Sequence, residues 1–204
     1  MQDWKRMLKR TWNFIWNDDS LLSWIVNIVL AFILIKFLVY PGLGLALGTT
    51  HPVVDVVSES MEHSDGFDIW WEKSGKWYAA NGIKKEDFLG FPFKSGFNKG
   101  DIMVLMGKKA EEIGIGEVIV FWSARQDPII HRVVKKWQEN GIYYFQTKGD
   151  NNPKSIQNSV LDETKVSEKE IIGKSAFRIP WLGYIKIWFI DIIGYFRSIF
   201  AQKG

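Results

Sequence analysis

Apolar residues fall into three patterns along this chain, and each predicts a different kind of element. Between Leu21 and Tyr40 they are nearly continuous: over twenty residues only Ser23, Asn27 and Lys36 interrupt the run. At 1.5 Å per residue such a helix is about 30 Å long, the thickness of a bilayer's hydrocarbon core. Lys36 lies one turn from the end, where its stem can carry the ammonium to the headgroups. Pro41, Gly42 and Gly44 are expected to end the helix. The run is too long for the apolar region of a cleaved leader, and no small-x-small site closes it, so a retained anchor is expected.

Residues 1–20 read as an amphipathic helix with Lys5, Arg6, Lys9 and Arg10 early. This basic arm predicts a cytoplasmic N-terminus and places residues 45–179 outside the cytoplasm. Asp18 and Asp19 do not change that, because the rule counts Lys and Arg.

From His51 the pattern shortens to strand-sized runs. They are His51–Val57, Asp101–Met106, Glu117–Trp122, Ile129–Trp137, Ile142–Lys148 and Ile171–Arg178, punctuated by glycines. Glu139-Asn140-Gly141 reads as a hairpin turn, and the whole is an all-β pattern. Residues 65–98 interrupt it with Trp70, Trp71, Trp77, Tyr78, Phe88, Phe91 and Phe93. Two readings are open for this insertion: a small satellite lobe with its own aromatic cluster, or an aromatic surface that dips into the outer leaflet or covers a substrate groove.

The third pattern closes the chain. Residues 180–204 contain an apolar stretch, 184–201, carrying Lys186, Asp191 and Arg197. Each charge at mid-bilayer costs about 2.5–3.5 kcal/mol. Lys186 and Arg197 can snorkel to opposite faces, but Asp191 cannot. The stretch is either a second span packed on the first or an interfacial helix.

Composition narrows the function classes. The 204 residues suffice for one medium domain plus membrane segments. A net charge of +3 with scattered Lys and Arg gives no case for nucleic acid. There is no cysteine, which excludes disulfides and thiolate metal sites. Only His51, His63 and His131 are available as imidazole ligands, so no metal or cofactor is expected. Of the eleven tryptophans, Trp4, Trp12, Trp16, Trp24, Trp181 and Trp188 lie at the apolar ends, where indole favours the membrane–water boundary. Trp122 and Trp137 read as core.

Three short stretches carry candidate chemistry. Val56-Val57-Ser58-Glu59-Ser60-Met61 places two serines after an apolar run, by itself an ordinary strand-to-turn junction. Ile129-Ile130-His131-Arg132-Val133-Val134 places one histidine on a strand, and alone it would be a satisfied strand histidine. Thr147-Lys148-Gly149-Asp150-Asn151-Asn152 places an aspartate at a turn. Ser, His and Asp in that set matter because a serine hydroxyl needs a base to take its proton, and the base needs a third group to orient it.

Together with Gly100–Leu105 (GDIMVL) and Gly116–Phe121 (GEVIVF), these stretches resemble the type I signal peptidases, and within them the archaeal and endoplasmic-reticulum branch. The resemblance runs from about Val53 to Gly173, broken by the insertion. It implies a mainly β, coiled β-barrel-like domain held by an N-terminal transmembrane helix and a C-terminal membrane-associated helix. It implies Ser60 as nucleophile, His131 as general base where bacterial members use lysine, and Ser58 as oxyanion support. The substrates implied are signal-peptide-bearing preproteins with small residues at the first and third positions before the cut, bound as an added strand. The bilayer is a partner, and the secretion translocon or accessory subunits are admitted as others.

The acid departs from the pattern. Relatives carry a second aspartate a few residues after the first, and here no Asp or Glu stands at that place. Asp150 is expected to be essential, with Asp162, displaced by a loop insertion, as the competing member of the triad. His63 is a weaker rival base, too close to Ser60 around a sharp turn. Arg132 is expected to face away from His131, because side chains alternate along a strand. Two further functions compete: a catalytically silent, membrane-anchored β-module that binds envelope or secretory partners, and a processor of specialised precursors such as surface-layer or pilin-like proteins.

Overall fold

The computed structural model describes residues 3–184 and 188. The apolar stretch at 184–201, whether span or interfacial helix, lies outside them but for Tyr184 and Trp188. Two compact units divide between Ala46 and Leu47.

The first unit is helical. Helix α1 spans Asp3–Asn17 and α2 spans Leu21–Leu34, followed by one π-helical turn, Ile35–Val39, and α3, Tyr40–Leu47. Ser20 caps α2 by accepting the Ser23 N–H. Pro41 and Gly42 do not stop the helix as expected. The π turn falls immediately before Pro41, with the Tyr40 N–H on the Ile35 carbonyl. Such a turn resets the hydrogen-bond ladder where a proline cannot donate. The helix instead ends at Gly48, whose φ of +66° is the left-handed conformation of a glycine stop. The continuous segment Leu21–Leu47 has 27 residues and is long and apolar enough to cross a membrane.

The second unit is a seven-stranded sheet in the order β1-β2-β7-β3-β4-β5-β6, every pair antiparallel. The strands are β1 Val53–Asp55, β2 Ile102–Met106, β3 Val118–Phe121, β4 Ile129–Glu139, β5 Ile142–Lys148, β6 Val166–Ser167 and β7 Ile171–Ile179. Bulges in the β2–β7, β3–β7 and β4–β5 pairs curl it into a half-barrel. Asn140 and Gly141 both have positive φ, 52° and 81°, as a two-residue hairpin turn requires.

Both faces of the central strands are buried, which is why β3 reads as an unbroken apolar run rather than an alternation. Val118, Val120 and Ile130 pack on one side with Val56, Met61, Phe97, Met103 and Leu105. Ile119, Phe121, Ile129 and Val133 pack on the other with Phe145, Leu161 and Val166. His131 pairs with Ile119 and Arg132 with Val118, so these neighbours enter opposite sides.

The insertion forms helices α4, Phe67–Ala80, and α5, Lys85–Leu89. Its aromatics turn inward: Trp70, Tyr78 and Phe88 are buried and pack with Val134 of β4. Two tryptophans expected in the core are not there. Trp122 follows the end of β3, 41% exposed, with its indole edge-on to His51. Trp137 lies toward the β4–β5 turn, half-buried and stacked on Tyr144.

Candidate active site

Ser60 stands in the turn that follows β1. Met61 behind it is fully buried, and its carbonyl accepts the Phe97 N–H at 3.0 Å. On the other side the Ser60 carbonyl accepts the Asn151 N–H at 2.7 Å, and the Glu59 carbonyl accepts from Asn151 Nδ2 at 3.1 Å. The apolar anchor and these bonds fix the direction of the hydroxyl. Ser60 Oγ lies 2.9 Å from His131 Nε2 and 3.1 Å from Ser58 Oγ.

His131 is held from behind by Glu163. Its Nδ1 lies 2.5 Å from Glu163 Oε1. An ionised carboxylate only accepts, so Nδ1 carries the proton and Nε2 presents its lone pair to the serine hydroxyl. Glu163 is itself fixed. Its Oε1 also accepts from Thr147 Oγ1 (3.0 Å) and its Oε2 from the Ile156 N–H (2.8 Å). Its backbone donates to the Ile156 carbonyl and accepts from the Thr147 N–H, both at 2.8 Å. The side chain is fully buried.

Neither expected aspartate contacts His131. Asp162 is exposed, and its Oδ1 accepts from the backbone and hydroxyl of Thr164. Glu163 opens the turn that follows, and its backbone bonds to Thr147 and Ile156 direct its carboxylate inward in place of its neighbour's. Asp150 is buried on the Arg132 side. Arg132 donates to it through Nε and Nη2 (2.9 and 2.7 Å), Tyr78 through its hydroxyl (2.7 Å), and His63 Nε2 lies 2.9 Å from Oδ2. Burial by itself would raise the Asp150 pKa. The Arg132 charge and the bonds from His63 and Arg132 outweigh that and hold it well below the usual carboxylate range.

His63 therefore pairs with Asp150 and stacks on Trp70, with ring centroids 3.7 Å apart; its bonds do not reach Ser60. Arg132 does face away from His131. It is fully buried, donates also to the carbonyls of Pro92, Phe93 and Gly116, and lies over the Phe88 ring.

Two neighbours complete the site. A Cβ on Gly149 would stand 2.8 Å from His131 Nε2 and 2.9 Å from the Ser60 carbonyl, so only glycine leaves this space open. Lys148 donates to the carbonyls of Gly149 and Asp150, and burial lowers its pKa to about 8.

A cleft of about 290 Å³ opens over Ser60 and His131, bounded by Asp55, Val57, Arg125–Pro128, Asn152 and Ile156. A larger depression, about 580 Å³, lies around Gly48, Gly107 and Glu168 and holds none of these groups. Among the described residues, no cluster of three or more His, Asp or Glu could hold a metal ion.

Sequence reasoning missed Glu163, although it directly follows the aspartate considered. It also missed Trp70 and Tyr78, whose aromatic character signalled packing but not a polar partner. The Trp70 indole donates to the Asp150 carbonyl at 3.2 Å.

No family model matches the chain. It is similar to the signal peptidase complex catalytic subunit SEC11C of Homo sapiens, 26% identical over 170 residues, which cover 82% of this chain and 72% of that protein. The same enzyme subunit of Mus musculus matches equally. SEC11 of Pyricularia oryzae is 28% identical over 154 residues, 74% of this chain and 71% of its own length. These homologues are catalytic subunits of signal peptidases.

Proposed function

We propose that this protein is a membrane-anchored serine endopeptidase that removes signal peptides from exported preproteins. The observation that carries this is Ser60, His131 and Glu163 in hydrogen-bonded sequence, in a chain whose homologues are signal peptidase catalytic subunits.

In this reading Ser60 Oγ attacks the scissile carbonyl while His131 Nε2 takes its proton. The imidazolium is stabilised by Glu163, and Ser58 with nearby backbone N–H groups receives the oxyanion. Collapse breaks the C–N bond, and His131 returns the proton to the leaving amine. Water, deprotonated by the same nitrogen, then hydrolyses the acyl-enzyme and restores Ser60. Asp150 acts through position: with Arg132 it holds the Gly149–Asn151 turn on which the Ser60 carbonyl rests.

The cleft lies beside β1, an edge strand, which suits a peptide bound in extended form with small residues before the cut. Leu21–Leu47 supplies the anchor, the N-terminus lies in the cytoplasm, and the sheet acts on the outer face. Preproteins held in the same membrane then meet the enzyme at high effective concentration. The translocon or accessory subunits are further partners of this reading. The inward-facing aromatics of the insertion speak against its selecting specialised precursors, and the presence of Glu163 weakens the silent-module reading.

The test is cleavage of a model preprotein in proteoliposomes by the native chain, Ser60→Ala and His131→Ala, with folding of each checked. Loss in both variants is expected. Full activity in Ser60→Ala would overturn the proposal.

A further inference from the structure

We propose that α1 is an interfacial helix that seats its apolar face in the membrane and binds anionic phospholipid headgroups through its basic face. This rests on the reading of Leu21–Leu47 as a membrane span.

Two stripes run along the helix. Trp4, Met7, Leu8 and Ile15 follow the i, i+3, i+4, i+11 spacing of one face, and Arg6, Lys9, Arg10 and Asn17 follow it on the opposite face. Trp12 and Trp16 flank the apolar stripe with their rings 5.6 Å apart. None of the fifteen residues is buried: Met7 is 68% exposed and Trp12 62%. A face this apolar needs a cover.

Charge identifies the cover. The helix holds four cations against Asp3, and among the described residues none of Lys5, Arg6, Lys9 or Arg10 has an ion-pair partner. Lys5 and Arg6 stand in the first turn, where the macrodipole disfavours cations, and none of the four is in the last turn, where it would favour them. An anionic headgroup layer over an acyl layer meets both faces at once.

Placement fits. The carbonyls of Phe14 and Ile15 belong to the last turn of α1, where the helix has no further N–H to donate to them. Ser23 Oγ donates to the Phe14 carbonyl (2.6 Å) and Asn27 Nδ2 to that of Ile15 (2.9 Å). Two of the three polar residues of the apolar run thus tie the end of α1 to the first two turns of the span. The apolar stripe is thereby held at the level where the span enters the bilayer.

The absence of cysteine makes the experiment clean. Full-length chain carrying one nitroxide at Leu8→Cys, Asn13→Cys or Val29→Cys is reconstituted in phosphatidylcholine vesicles, with and without phosphatidylglycerol. Label depth is read from the ratio of oxygen to nickel-complex accessibility. The expected result is Leu8 below the phosphates, Asn13 in water and Val29 at mid-bilayer. Leu8 should move deeper with phosphatidylglycerol, and that shift should vanish when Lys5, Arg6, Lys9 and Arg10 are all replaced by Gln. A deep Val29 with an aqueous Leu8 overturns the interfacial helix. A buried Leu8 indifferent to phosphatidylglycerol overturns headgroup binding. A shallow Val29 overturns the spanning reading and this proposal with it.

Discussion

The carboxylate of Glu163 meets His131 Nδ1 at 2.5 Å from a backbone strung between Thr147 and Ile156, while Asp162, one residue earlier, faces solvent. Glu163→Gln keeps the size of the side chain but can present an N–H to Nδ1 and favour the wrong tautomer. In preprotein cleavage assays kcat should fall roughly 10³- to 10⁴-fold. Asp162→Asn, a surface change, should stay within about twofold. The reverse ranking would remove Glu163 from the mechanism.

Gly149 is enclosed by the Asn152 amide, His131 Nε2 and the Ser60 carbonyl. A methyl group there presses on His131 Nε2 and on the Ser60 backbone, and so displaces the base from the hydroxyl it must deprotonate. Gly149→Ala should therefore lower kcat by about 10²-fold or more, since an error near 1 Å has that effect. Steady-state kinetics on folded variant protein measure it, and wild-type kcat would contradict the geometry.

Tyr78 belongs to the insertion yet donates to the buried Asp150 carboxylate at 2.7 Å. Tyr78→Phe removes only the hydroxyl, and losing a hydrogen bond to a charged group should destabilise the fold by about 1.5–3 kcal/mol. Tyr78→Ala, which also opens a cavity, should cost about 3–5 kcal/mol. Chemical unfolding in detergent distinguishes these from the near-zero effect expected of a detached lobe.

Asp150 ionises more readily folded than unfolded, because Arg132 and His63 favour its charge. The unfolded chain therefore binds more protons as pH falls below about 4, and stability drops from there toward the folded pKa. Asp150→Asn should flatten this acid limb. An unchanged limb in a pH series of unfolding curves would mean that other carboxylates dominate it.

Lys148 has the same sign at higher pH, with burial as its cause. Burial lowers its pKa to about 8, so between pH 8 and about 10 the unfolded chain holds the extra proton and stability rises with pH. A neutral amine keeps two N–H donors, enough for the Gly149 and Asp150 carbonyls. Lys148→Met should abolish the rise over that range, as read from thermal unfolding at each pH.

The strands around His131 and the turn at Asn140-Gly141 were legible because short β-branched runs and turn chemistry are local signals. The long apolar helix was legible because a run of twenty residues with only three polar ones is itself a local signal. Ser60 and His131, which the fold brings together, were legible as candidates through short motifs. The helix beyond Pro41 was hidden, since a single π turn absorbs the proline without any mark in composition.

The acid and the insertion depended on tertiary structure. Glu163 lies 32 residues from His131 in the chain, and only the closing of the 151–165 loop on β5 decides which of two adjacent carboxylates enters the sheet. Trp70 and Tyr78 looked like packing residues, because aromatic content reports burial but not which polar group an indole or phenol will reach. The sequence by itself determined the long apolar helix and the β pattern, and it offered the serine and the histidine as candidates. The folded chain decided which carboxylate stands behind the histidine, because that choice is made by side-chain direction and loop closure, and neither leaves a periodic trace in the sequence.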